Sequence, residues 1–136
     1  MLWILADLIQ ESVAIAGTEV LEVVPAIVPS QIAGCSSPWQ GVICYRGDIV
    51  PVMDLCERYG MPTPRPSMRQ RILIMSPYEN FKMALKVPSV RAATDEELQS
   101  IREAIQKPII RQLPGTEIFS EPYFRIAQSM LIGVRS

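Results

Sequence analysis

Residues 44–55 read CYRGDIVPVMDL, and the reading of that stretch decides the fold. Arg46-Gly47-Asp48 spells an adhesion tripeptide, which in a secreted chain would sit on an exposed loop. The flanks give a different reading. Apolar residues on both sides of a Gly-Asp pair describe a β-hairpin, with Gly47 supplying the positive φ of a type II′ turn. In that register Arg46 faces Ile49, Cys44 faces Pro51 and Val42 faces Met53 on one side, while Ile43, Tyr45, Val50 and Val52 take the other. Neither side is polar, whereas a strand with one wet face alternates apolar and polar residues. The hairpin is therefore expected to be covered on both faces. Pro51 has no N–H for a ladder bond, which argues for an edge strand or a bulge there.

The rest of the chain tells against the adhesion reading. Its 136 residues suit one domain, which at this size buries about two thirds of the surface its unfolded chain would expose. Residues 1–17, MLWILADLIQESVAIAG, are apolar but interrupted by Asp7 and Glu11 and carry no basic residue, unlike a secretory leader. No apolar run approaches the roughly 18 residues that span a bilayer. The three cysteines, Cys35, Cys44 and Cys56, are odd in number and lack CxxC spacing, so they read as reduced, small core residues. A cytoplasmic protein without direct membrane insertion is the expectation. A net charge of −1 gives no electrostatic reason to expect nucleic acid. The chain has no histidine, the commonest general base at neutral pH and the commonest metal ligand. Neither a metal nor a cofactor is expected, because no Gly-rich loop follows a strand to cradle phosphate.

Twelve prolines and seven glycines cut the chain into short segments, as in an all-β fold. Strands are expected over residues 2–8 and 12–16. Thr18 then reads as the N-cap of a single helical turn over 19–22, and 26–28 as extended. Residues 34–41 form a loop, followed by the hairpin of 42–53. Asp54 reads as the cap of a turn before 55–59. MPTPRPSMRQR, residues 61–71, is a Pro-rich connector whose three arginines read as a solvated linker, since no aromatics interleave for base stacking. Strands follow over 71–75 and 81–87. The only long helix signal is residues 95–107: Thr94 and Glu97 make a capping box, and Asp95, Glu96 and Glu97 suit the positive end of the dipole. Leu98, Ile101 and Ile105 give the apolar stripe and Pro108 the stop. A last strand pair is expected over 124–134.

With these elements in place, GVICYRGDIVPVMDLCERYG, residues 41–60, resembles the signature of the CheW family of chemotaxis coupling proteins, GV.N.RG.IVPV.DL..R.G. The upstream VAIAGTEVLEVV is similar to that family's strand and turn ending in V-x-E-V/I, and the spacing from Glu22 to Arg46 fits. Four features depart from the family pattern. VPSV stands where a V-D-x-V run is usual, the 95–107 helix replaces an extended connection, RIA takes the place of the closing G-V before the last hairpin, and the usual C-terminal helix is not expected.

The resemblance implies a mainly β fold of two small five-stranded β-barrel subdomains sharing a core, with one helix around 95–107. It implies a single domain over 1–136, its first lobe centred on 13–60 and its second on 71–135. It also implies a non-enzymatic adaptor linking the cytoplasmic tip of chemoreceptors to the regulatory domain of a CheA-type histidine kinase. Carried across residue by residue, the partner-binding surface is Val20, Glu22, Gly41 and Arg46, with Ile49, Val50 and Val52 as further docking candidates. All but Val20 also have a purely structural reading. Glu22 and Arg46 could form an ordinary surface ion pair, Gly41 a close backbone approach, and the three apolar residues part of the core. The competing function is a small β-barrel enzyme with Cys44 or Cys56 as nucleophile, which without histidine needs a cation or helix N-terminus to lower the thiol pKa.

Overall fold

The computed structural model describes residues 1–104 and 109–135. The strands are β1 (Leu2–Asp7), β2 (Glu11–Ala16), β3 (Val20–Pro25), β4 (Trp39–Tyr45), β5 (Asp48–Asp54), β6 (Arg71–Tyr78), β7 (Phe81–Val87), β8 (Val90–Thr94) and β9 (Ile109–Gln112). The helices are α1 (Leu55–Arg58), α2 (Asp95–Ala104), α3 (Gly115–Ile118) and α4 (Glu121–Arg135). They build a mainly β fold of two sheets, one of four strands in the order β8-β1-β2-β9 and one of five in the order β3-β6-β7-β5-β4. The larger sheet combines strands from before and after the Pro-rich connector.

Three apolar clusters hold these layers. Leu5, Ala14, Ala93 and Leu98 pack α2 onto the outer face of the four-stranded sheet. Val13, Ile15, Trp39, Met53, Leu73, Leu85, Phe119 and Met130 belong to the large cluster shared by the two sheets and α4. Ile43, Val50, Val52, Ile72, Ile74 and Ala84 fill the opposite, concave side of the five-stranded sheet. The hairpin that names the fold is thus covered on both faces, as its apolar sides require.

Closed five-stranded barrels are not what forms. One sheet has four strands, and β3 and β4 remain the unjoined edges of the other. The segment after β3 crosses toward β4 through a single bridge, in which Ser30 and Val42 exchange N–H···O bonds of 2.8 and 2.9 Å.

The hairpin register also differs from expectation. Tyr45 pairs with Asp48, Cys44 with Ile49 and Val42 with Pro51. The turn is Arg46-Gly47, with φ of 48° and 83°, the two positive values of a type I′ turn, whose twist matches the flanking strands. Moving the turn by one residue offsets the pairing by two, so the side-chain faces survive. Pro51 is interior, neither on an edge strand nor at a bulge of its own. Val42 turns its N–H and C=O toward Ser30, so Pro51 meets it in a non-hydrogen-bonded pair, and the ladder to β7 begins only at Val52.

Two helical assignments change. Residues 19–22 are not a helical turn capped by Thr18. A 3-10 turn spans Gly17–Glu19, and β3 follows with burial alternating residue by residue. Residues 124–134 are not a strand pair but most of α4. Ala127, Met130 and Leu131 are buried and Phe124 half-buried, at the i, i+3, i+6, i+7 spacing of one helical face. Pro122, in the first turn, needs no N–H partner. Phe124 stacks on Tyr78 at 4.1 Å and meets Phe81 edge-on at 5.0 Å.

Other expectations hold. Thr94 Oγ1 accepts from the Glu97 N–H at 3.2 Å, starting α2, while Ile105, Lys107 and Pro108 lie outside the described residues. Asp54 Oδ1 accepts from the Glu57 N–H at 3.0 Å and caps α1. β8 and β9, which the sequence reading did not assign, flank β1 and β2.

Candidate docking surface

Glu22 lies on β3 and Arg46 at the tip of the β4–β5 hairpin, so they stand on the two unjoined edges of the five-stranded sheet. Side chains join those edges where backbone does not. The Arg46 guanidinium donates to Glu22 Oε1 at 3.3 Å, and the Tyr45 hydroxyl donates to Glu22 Oε2. Tyr45 packs its ring against the concave cluster below. The Arg46 guanidinium carbon lies 5.4 Å from the centre of that ring, and Lys82 Nζ 5.9 Å. Lys82 in turn pairs with Asp48 at 2.7 Å. A carboxylate, a phenol, two cations and a second carboxylate thus share one seam.

Arg46 is the most exposed member, with 71% of its side chain in solvent. Its φ of 48° places a bulky L-residue in the left-handed region, which costs on the order of 1–2 kcal/mol. An exposed ion pair returns less than about 1 kcal/mol. Local stability therefore does not account for an arginine here.

The remaining candidates divide by burial. Val20 is half-buried on the same strand as Glu22, and Ile49 is half-buried beside the hairpin tip. Val50 and Val52 have no exposed surface, so a docked partner reaches them only through the residues covering them. Gly41 is buried with φ of 136°, its Cα pressed against Ser30. Its environment is that of a backbone crossing.

The thiols do not converge on a reactive site. Cys56 is buried, and burial first, then the Asp54 and Glu57 charges, push its thiol up to about 11, the opposite of nucleophile activation. Cys35 is half-buried, donates to the Trp39 carbonyl at 3.2 Å and is also raised, chiefly by burial. Cys44 is exposed rather than core, on the edge strand β4, with no cation against it among the described contacts. Among the described residues no three His, Cys, Asp or Glu side chains gather to hold a metal, and no helix is long and apolar enough to cross a membrane. Trp39 is buried against Phe119 at 6.0 Å and offers no interface. The cleft of about 910 Å³ lined by Val28, Ile32, Met68 and Gln70 lies apart from the seam.

Sequence reasoning missed Tyr45, Asp48 and Lys82 as members of this surface. Tyr45 was legible as the neighbour of Arg46. Lys82 comes from β7, and only the sheet order brings it to the hairpin tip.

The sequence model of the CheW-like domain family matches residues 3–115. Among solved structures, the scaffolding protein TtCheW from Thermoanaerobacter tengcongensis is similar, at 29% identity and a TM-score of 0.61. The similarity covers 66% of this chain and 61% of that one. No curated protein matches the chain.

Proposed function

This chain belongs to the CheW-like domain family, and from that premise we propose that it is a non-catalytic cytoplasmic adaptor. It couples the cytoplasmic tip of chemoreceptors to the regulatory domain of a CheA-type histidine kinase. That the similar TtCheW is a scaffolding protein supports this reading. The observation that carries it is Arg46: an exposed guanidinium, in a costly backbone conformation, beside Glu22 at an unjoined seam of the sheet. Such an arginine suits a binding hot spot better than a stabilising pair. Val20, Glu22 and Arg46 form the docking set, with Ile49 at its margin. Gly41, Val50 and Val52 serve it from beneath by holding the hairpin in place.

The test is affinity, measured with the full chain against a kinase regulatory domain and, separately, a receptor-tip peptide hairpin. Arg46→Ala is expected to leave the melting temperature alone and to weaken binding by about 1–2 kcal/mol. Binding that survives both Arg46→Ala and Glu22→Ala unchanged rules out this surface.

A further inference from the structure

We propose that Tyr45 is the positioning residue of this surface: its hydroxyl fixes the Glu22 carboxylate across the seam while its ring seats the Arg46 guanidinium. The inference rests on the docking reading and adds a residue to it.

Three contacts carry it. Glu22 receives both the Tyr45 hydroxyl and the Arg46 guanidinium, one on each carboxylate oxygen. A carboxylate held from both sides loses its rotamer freedom. Arg46 in turn lies against the same ring whose hydroxyl holds its ion-pair partner. The phenol, the carboxylate and the guanidinium therefore close a three-membered ring of contacts, and no member can turn without breaking two of them. Lys82, held by Asp48, approaches the ring as a second cation. The Tyr45 phenol is raised above the usual tyrosine value, the bond to Glu22 being the first cause and the Arg46 and Lys82 charges opposing it.

The functional consequence is entropic. An exposed arginine must surrender side-chain freedom when a partner binds, a cost that is larger the more rotamers it loses. Tyr45 imposes much of that order in the free protein. Partners then meet an arginine already set.

Tyr45→Phe removes only the hydroxyl and keeps the ring in the concave cluster. With the full chain and a kinase regulatory domain as probe, Kd is expected to rise roughly five- to tenfold at an unchanged melting temperature. In a Glu22→Gln background the same change should add little. In ultraviolet titration, the tyrosine absent from Tyr45→Phe should deprotonate at lower pH in Glu22→Gln than in the parent chain. Wild-type affinity in Tyr45→Phe, with Arg46→Ala still impaired, overturns the inference and leaves the docking reading standing. A Kd that rises only as the melting temperature falls makes Tyr45 a structural latch and overturns it too. A parent chain that binds neither kinase domain nor receptor tip ends both.

Discussion

Gly41 and Ser30 approach so closely that a β-carbon on Gly41 would stand 2.2 Å from the Ser30 carbonyl oxygen. That contact lets the strand after Trp39 accept the Ser30–Val42 bridge, which ties the segment after β3 to β4. Gly41→Ala must open it and must also place a side chain at φ 136°. A loss of about 3 kcal/mol or more is expected by denaturant titration. Gly47→Ala is the control: its φ is 83° but nothing lies within 4 Å, so only the backbone term of about 1 kcal/mol remains. Equal losses at the two sites would show that the Ser30 crossing is not close-packed.

Arg46→Gly separates stability from binding by sign. Glycine accepts the left-handed turn position without the β-carbon penalty. The melting temperature should hold or rise, the gain being at most about 1 kcal/mol after loss of the exposed ion pair. Affinity for the kinase domain or receptor tip should fall. A chain that loses both together would place Arg46 among the structural residues.

The two long helices are expected to differ in what their faces contribute. Met130 on α4 is 3% exposed and Leu98 on α2 is 2% exposed, so alanine at either should cost about 2–4 kcal/mol. Ile101 is only half-buried, and Ile101→Ala should cost about 1 kcal/mol, less than a full cavity would. If Met130→Ala is neutral in denaturant titration, α4 is not part of the shared core.

Alkaline pH should expose Cys56. An unfolded thiol ionises near 9.0, whereas in the fold burial raises this one to about 11. Between those values the unfolded chain has released a proton that the native chain keeps. Stability contributed by this thiol is therefore complete below about pH 9 and lost progressively up to about pH 11. The alkaline slope of stability should be shallower in Cys56→Ala than in the parent chain. In the native protein at pH 8 only about a thousandth of Cys56 is thiolate, so alkylation should reach Cys44 first and Cys56 only on unfolding. Fast labelling of Cys56 would revive the nucleophile reading.

Much of this protein is legible in its sequence. The doubly apolar hairpin announced two covered faces because side chains alternate with period two whatever the neighbours are. The Thr94 cap and the Asp54 cap were readable because a cap is a contact between residues three apart. β3 was misread because TEVLEVVP carries both a capping residue and a period-two pattern, and the sheet's pairing with β6 decided between them. α4 was misread for a related reason. Its apolar residues at 124, 127, 130 and 131 fit a helical face, but short runs such as MLIGV also suit strands.

The sequence by itself determined the β hairpin, its two apolar faces and the family signature, and it was the family resemblance that singled out Glu22 and Arg46. Local rules suffice for the hairpin and its faces, since periodicity and turn chemistry act over a few residues. The tertiary structure alone decided that the five-stranded sheet stays open, that β3 and β4 are its edges, and that Tyr45 and Lys82 join the pair across that seam. Strand order is a choice among many non-local pairings, each with its own loop-closure cost. That choice, rather than any single residue, sets which side chains meet at the surface.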